Sequence, residues 1–186
     1  MSSHAHEAAF REMFDTYETS IRAYCLRRLP ASHVDDAVAD TFLTVWRRRH
    51  DAPQGDELRL WLYGVARNVV RNDRRSTERS RRLRNRIIRE PIAYQESPEV
   101  VVVRNAEERY LLAAIARLRP VEREILLLRT WERLSSSDVA IVMCLTPKAV
   151  DNRLARIKKK LTKMTAEPAA VILSPDPPPV VKGGEI

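Results

Sequence analysis

The chain has 186 residues, 44% of them apolar and 31% charged, so it has room for one domain of average size or two small ones. Its net charge of +8 favours a polyanionic partner such as nucleic acid. The four glycines exclude a glycine-rich phosphate loop, no apolar run approaches the ~18 residues of a membrane span, and the first residues lack the pattern of a signal peptide.

The chemistry-bearing residue types form no recognisable catalytic set. Cys25 and Cys144 are the only cysteines, and lone cysteines suit a reducing compartment, so we expect a cytoplasmic protein. One interpretation of the two cysteines is a regulatory disulfide. The more usual interpretation is that both are small, buried apolar side chains. The histidines have no metal-ligand spacing, and no nucleophile can be matched with a base. The sequence therefore predicts no enzyme, no metal and no cofactor.

The N-terminal half is predicted to consist of amphipathic helices. Residues 1–8 are expected to be disordered, and apolar residues at helical spacing predict a first helix over 9–29, which Pro30 ends. Ser32 and Asp35 have the spacing of a capping box and predict the start of a second helix. The inward positions of that helix are Val34, Val38, Phe42 and Val45.

The opposite face of the second helix carries Asp36, Asp40, Leu43 and Arg47. Two carboxylates beside an outward leucine are compatible with an ordinary solvated face, because single exposed leucines are common. They are equally compatible with a docking stripe for a basic partner helix.

A third helix is predicted after the loop of residues 50–56. Its apolar positions are Leu58, Trp61, Leu62, Val65, Ala66 and Val69. Its outer face presents Arg67, Arg71 and Arg74, with Asn68 at one edge. Aromatic residues alternating with arginine and asparagine suit contact with phosphates and unstacked bases, although a basic run is more often a solvated face.

The second half begins after a segment that contains prolines, residues 81–103, which we expect to be a flexible linker. Inward positions at helical spacing predict two helices before residue 132. They are Leu111, Ala114, Ile115 and Leu118, and then, after Pro120, Val121, Ile125, Leu128 and Trp131. Residues 165–186 are rich in proline and are expected to be a disordered tail.

Two short helices with a tight turn are predicted between residues 134 and 161. Ser135 with Asp138 forms a capping box, and Thr146 with Pro147 opens the second helix. That helix faces inward with Val150, Leu154, Ile157 and Leu161 and outward with Lys148, Asn152, Ala155 and Lys159, flanked by Arg153 and Arg156. The pattern is typical of a helix-turn-helix recognition helix that reads DNA; the other reading is a helical hairpin with a solvated basic face.

Two blocks of the chain resemble one protein family, and together they span about residues 9–164. DDAVADTFLTVWRRR with ELRLWLYGVARNVVRNDRR resembles region 2 of the extracytoplasmic-function sigma factors, and LRPVEREILLLRTWERLSSSDVAIVMCLTPKAVDNRLARIKKKL resembles their region 4. The resemblance implies an all-α fold of two small helical domains, 9–80 and 104–164, joined by a flexible linker, with the helix-turn-helix in the second. It also implies a factor that binds core RNA polymerase, recognises the −10 and −35 elements of promoter DNA, and has an anti-sigma partner.

The resemblance assigns roles to particular positions. The residues expected to dock on polymerase are Asp36, Asp40, Leu43, Trp46 and Arg47. Those expected at the −10 element are Arg59, Trp61, Arg67, Asn68, Arg71, Arg74 and Arg75. Those expected at the −35 element are Thr146, Lys148, Ala149, Asn152, Arg153, Arg156 and Lys159.

Departures from the family pattern occur at four positions in the helix-turn-helix. Cys144 stands where the family usually has glycine, and a cysteine at positive φ is strained by about 1 kcal/mol or more. Asp151 replaces a commonly basic residue, and Ser136 and Ser137 replace larger ones. These changes predict an unusual −35 preference or weak promoter binding. A stand-alone helix-turn-helix regulator is the alternative function; it would need no acidic docking helix.

Overall fold

The computed structural model describes residues 3–87 and 106–172, and every regular element in these ranges is a helix. The chain divides into two compact units, residues 1–101 with 137–146, and residues 102–136 with 147–186. The predicted all-α fold of two helical domains is therefore confirmed. Most of the predicted linker and the end of the predicted tail lie outside the described residues.

The first unit contains three long helices, each packed against the other two. They are α1 (Ser3–Leu26), α2 (Ala31–Arg47) and α3 (Asp56–Ile87), with a short 3₁₀ turn, Arg49–Asp51, before α3. The core side chains include Ile21, Tyr24, Cys25, Leu29, Val34, Val38, Phe42, Val45, Leu62, Ala66 and Val70. The inward stripe predicted for α2 is the buried one, because helical periodicity alone determines which of its positions share a face.

The core-facing side of α3 differs from the prediction. The structure buries Leu60, Tyr63 and Val70, whereas Leu58, Trp61 and Val69 are only half-buried. The buried face of α3 is thus rotated from the predicted one toward Tyr63. The Tyr63 ring lies 5.5 Å from the ring of Tyr24, which is fully buried. This ring contact joins α3 to α1. Leu62, Val65 and Ala66 of the predicted stripe are buried as predicted.

The starts of α1 and α2 also differ from those predicted. The prediction that residues 1–8 are disordered is wrong for most of them, because α1 begins at Ser3; alanine and glutamate in this stretch favour helix, and a formed helix extends readily. The capping box at Ser32 and Asp35 is absent: α2 starts after Pro30 with no side-chain cap. Asp35 instead accepts a hydrogen bond from the Arg22 guanidinium of α1 at 2.5 Å.

Two helices run further than predicted. The segment 81–103 was expected to be a linker, but α3 continues to Ile87, since no proline interrupts the chain before Pro91 and arginine and leucine are good helix formers. The tail was expected to be disordered from residue 165, but α7 (Pro147–Ile172) extends into it. Alanines around Pro168 favour the helix there.

The second unit is built from α4 (Ala106–Ala116), α5 (Pro120–Thr130) and α7, with both shorter helices packed on α7. Its buried apolar residues include Ala114, Leu118, Ile125, Leu128, Leu134, Val150 and Ile157. Leu111, Val121 and Trp131 were predicted to face inward but are largely exposed; α5 ends at Thr130, which leaves Trp131 beyond its last turn. The remaining helix, α6 (Ser136–Met143), lies almost wholly within the residues grouped with the first unit.

Candidate nucleic-acid interface

The outward face of α2 has the composition predicted from the sequence. Asp36, Asp40, Leu43 and Arg47 are all exposed, and Leu43 has 44% of its surface accessible. The buried stripe lies on the other side of the same helix. The structure thus brings four of the five predicted polymerase-docking residues onto one accessible face.

Trp46, the fifth of these residues, is placed differently. Its ring lies 5.1 Å from the Phe10 ring of α1, and the Arg49 guanidinium stacks over it at 4.8 Å. The side chain is half-buried. Phe10 therefore joins Trp46 in holding α1 against the C-terminal end of α2, a contact that the spacing within α2 alone does not reveal.

The residues of α3 expected at the −10 element share one side of the helix except Arg59, which lies about 160° around the helix from Arg75. Arg59, Asn68, Arg71 and Arg75 are exposed, whereas Trp61 and Arg67 are half-buried. Arg59 lies over the Tyr63 ring at 5.7 Å. The guanidinium of Arg48, which the sequence analysis did not select, lies over the Trp61 ring at 5.8 Å. In the sequence, the run of three arginines Arg47–Arg49 at the end of α2 indicates that a further cation lies near Trp61.

Arg74 has a structural role that its position on a basic face does not indicate. Its guanidinium donates two hydrogen bonds to the Arg28 carbonyl, from Nη2 at 2.7 Å and from Nε at 3.3 Å. Carbonyls at and just after the last turn of a helix lack intrahelical partners. Arg74 of α3 therefore supplies hydrogen-bond donors to a carbonyl at the C-terminal end of α1. Beside it, the His33 ring and the Asp73 carboxylate lie 3.0 Å apart and join α2 to α3.

The outward face of α7 agrees with its helical wheel. Lys148, Asn152, Arg156 and Lys159 are exposed, and Thr146 before the helix is exposed too. Ala149 and Arg153 are half-buried. The inward side is anchored by Val150 and Ile157, which are buried. Thr146 and Pro147 occupy the start of the helix as predicted.

The turn before α7 is a Schellman cap with a cysteine in the position that usually takes glycine. The Cys144 N–H donates to the Ile141 carbonyl at 3.2 Å, and the Leu145 N–H donates to the Ala140 carbonyl at 2.8 Å. Cys144 has a φ of 54° and is exposed. Cys144 therefore has the positive φ at which strain was expected. The turn adopts the left-handed geometry although its residue is not glycine.

Asp151 is linked to the start of α6. The Ser136 hydroxyl donates to the Asp151 Oδ1 at 2.6 Å, and the aspartate is exposed. Both residues depart from the family pattern, and no pattern in the sequence connects the two positions. In the parts of the chain that the structure describes, no three His, Cys, Asp or Glu side chains are grouped as a metal site would need, and no helix has the length and apolarity to cross a membrane.

Comparison with known proteins matches both halves of the chain to one family. The model of Sigma-70 region 2 matches residues 13–80, and the model of Sigma-70, region 4 matches residues 108–161. The RNA polymerase sigma factor NccH of Alcaligenes xylosoxydans xylosoxydans is 29% identical over 73% of this chain and 75% of its own length. The ECF RNA polymerase sigma factor BldN of Streptomyces coelicolor is 26% identical over 87% of this chain and 62% of its own.

A solved structure shares the fold. The sigma factor RpoE of Bartonella quintana, crystallised with the anti-sigma factor NepR, superposes with a TM-score of 0.64 at 18% identity and covers 85% of this chain and 97% of RpoE. Regions 2 and 4 of the family are thus present in the family's order, the helix-turn-helix falls within the residues matched by region 4, and the fold matches. The chain belongs to the sigma-70 family and is an RNA polymerase sigma factor of the extracytoplasmic-function group.

Proposed function

We propose that this sigma factor docks on core RNA polymerase through the outward face of α2 and recognises promoter DNA with α3 at the −10 element and α7 at the −35 element. It acts as a binding subunit without catalytic groups of its own. The observation that carries the proposal is the arrangement of surfaces: one acidic and leucine-bearing stripe and two basic stripes, each on the side of its helix opposite a buried stripe.

The α2 face, defined as Asp36, Asp40, Leu43 and Arg47, suits a protein partner better than DNA. Its two carboxylates lie on adjacent turns, and phosphates would repel both of them. An exposed leucine between charged groups offers an apolar contact that becomes favourable when a partner covers it. A basic helix with an apolar residue at its centre would complement this face.

The α3 face, defined as Asn68, Arg71 and Arg75, suits a single DNA strand. The exposed arginines neutralise phosphates without regard to sequence. Trp61 on the same side of α3 is only half-buried, and an aromatic side chain beside arginines suits stacking with an unstacked base. Arg74 is a weaker candidate for a DNA contact because the Arg28 carbonyl already takes two of its donors.

The α7 face, defined as Lys148, Asn152, Arg156 and Lys159, suits the major groove of duplex DNA. Recognition helices read bases with their N-terminal residues, and Lys148 and Asn152 lie in the first two turns. An asparagine pairs with adenine and a lysine donates to guanine. Arg156 and Lys159 lie further along the helix, where phosphates are the nearer targets.

A stand-alone helix-turn-helix regulator would use only the α7 face. It gives no role to the exposed acidic stripe of α2 or to the arginines of α3, so the sigma-factor function accounts for more of the surface. We also propose an anti-sigma partner for this chain. The support is fold-level analogy, since RpoE of Bartonella quintana was crystallised with NepR; co-purification of the tagged chain from its own cells would test it.

Run-off transcription with purified core polymerase tests the whole proposal. Adding the wild-type chain should produce promoter-dependent transcripts that core polymerase alone does not make. The variant Asp36→Lys with Asp40→Lys should lose co-purification with core polymerase while its helicity stays unchanged. Glu12→Lys with Asp15→Lys, which makes the same charge change at exposed positions of α1, should bind as the wild type does. Undiminished binding by the α2 variant would rule out the docking face.

A further inference from the structure

The helix proposed to read DNA carries a negative charge beside its basic outward residues. Asp151 is exposed and lies one residue before Asn152, about 100° around the helix from the buried Val150. It therefore sits at the edge of the α7 face, among lysine, arginine and asparagine. A carboxylate in that place raises the energy of the complex by repelling phosphates unless it finds a hydrogen-bond donor.

The structure gives this carboxylate one hydrogen-bond donor from the protein. Ser136, the first residue of α6, donates to Oδ1 at 2.6 Å. Within the described residues, Oδ2 of Asp151 has no hydrogen bond. One oxygen is thus anchored, and the other remains able to accept a bond from outside the protein.

The donors that a carboxylate can find in the major groove are few. Cytosine presents its N4 amino group, and adenine presents its N6 amino group beside the N7 acceptor. Guanine presents two acceptors, and thymine presents an acceptor and a methyl group. A carboxylate is therefore attracted by cytosine, attracted less by adenine because N7 repels it, and repelled by guanine.

Resting on the proposed reading of the −35 element by α7, we infer that Asp151 is a specificity-determining residue that selects cytosine at one −35 position. Ser136 is the positioning residue that fixes its carboxylate. Anchoring before binding reduces the side-chain entropy that is lost on forming the contact. The substitution of a commonly basic residue thus changes which base is preferred, in addition to removing a positive charge.

The test measures the affinity of the complete chain, bound to core polymerase, for a panel of promoters that carry each base pair in turn at every −35 position. The proteins compared are the wild type, Asp151→Asn, Ser136→Ala and Asn152→Ala. We expect the wild type to prefer cytosine at one position by about tenfold. Asp151→Asn should remove most of that preference, since its amide also donates to acceptors, and Ser136→Ala should reduce it about twofold to threefold.

Each outcome decides the inference. Loss of preference at one position in Asp151→Asn, with the rest of the panel unchanged, supports it. An equal gain in affinity for every promoter would mean that the carboxylate only repels phosphates, and the inference would be wrong. If Asn152→Ala changes base preference while Asp151→Asn does not, the inference about Asp151 is wrong. The proposal that α7 recognises the −35 element is then still supported. If neither variant changes any preference, both fail. Melting curves of each variant control for folding.

Discussion

At the scale of single residues, the two cysteines occupy opposite environments. Cys25 is fully buried in the first unit, and burial raises the pKa of its thiol to about 11. Cys144 is exposed in the Schellman turn. The thiolate is the reactive form of cysteine, so the two side chains should differ sharply in reactivity. The reading of both as buried apolar side chains is wrong for Cys144.

We therefore predict that native protein reacts with Ellman's reagent at one thiol only, near pH 8. Cys144→Ser should abolish the fast reaction, and Cys25→Ser should leave it unchanged. The second thiol should react after unfolding in guanidinium, when burial no longer protects it. Rapid reaction of two thiols in the native state would contradict this assignment.

The left-handed backbone at Cys144 gives a second prediction at this scale. Cys144→Gly should raise the free energy of unfolding by about 1 kcal/mol, because glycine adopts this φ without a Cβ clash. The control is Ala155→Gly, an exposed position inside α7, which should lower stability by about 1 kcal/mol. Urea unfolding followed by circular dichroism measures both, and a loss of stability in Cys144→Gly would count against the strain.

At the scale of elements, pairs of side chains join helices that are far apart in the chain. Glu122 near the start of α5 accepts a hydrogen bond from Lys160 of α7 at 2.5 Å and another from the Arg119 N–H at 3.2 Å. The hydrogen bond from Lys160 lowers the pKa of Glu122 below its ordinary value. A carboxyl whose pKa is lowered on folding stabilises the folded state at high pH and loses that contribution as pH falls.

We predict that the pair contributes about 1 kcal/mol near neutral pH, since Lys160 is 42% exposed and screened by water. Glu122→Gln should lower the melting temperature at pH ~7, and the difference from wild type should disappear as the pH falls through the lowered pKa of Glu122. Glu12→Gln, at an exposed position of α1, should show little difference at either pH. A difference that persists in acid would show that charge is not the cause.

Arg71 and Arg74 lie one turn apart on α3, which allows a matched comparison. Arg74→Ala should destabilise the protein by about 1 kcal/mol because the Arg28 carbonyl loses its donor. Arg71→Ala should leave the melting temperature unchanged and weaken promoter binding, since Arg71 is exposed and free to neutralise a phosphate. The two variants remove the same charge. Equal effects in both assays would mean that the hydrogen bonds of Arg74 are not important.

At the scale of the whole molecule, the net charge of +8 makes promoter binding dependent on salt. We predict that Lys159→Ala weakens all promoters alike and reduces the slope of log K against log salt by about one. Lys160→Ala is the control, because Lys160 is paired with Glu122 in the structure and should leave the slope unchanged. Titrations of the polymerase complex with promoter DNA at several salt concentrations measure this slope. Equal slopes for Lys159→Ala and wild type would exclude a phosphate contact by Lys159.

Much of this organisation could be predicted from the sequence because it depends on local periodicity. The faces of α2 and α7 follow from the 3.6-residue repeat, which places Asp36 with Asp40 and Lys148 with Asn152 whatever the helices pack against. Thr146 with Pro147 determined the start of α7 in the same local way. The order of the two family blocks in the chain then indicated the function, since each block retains its pattern of apolar and charged residues.

Tertiary structure alone decided which polar groups are used inside the protein. Arg74 and the Arg28 carbonyl are 46 residues apart in the chain, and Ser136 and Asp151 are 15 apart, so no repeat within one helix reveals either pair. The ring contact of Tyr63 with Tyr24 likewise joins α3 to another helix. Amphipathic periodicity determines an outward face; hydrogen bonding and packing between helices determine which residues on that face remain available to a partner.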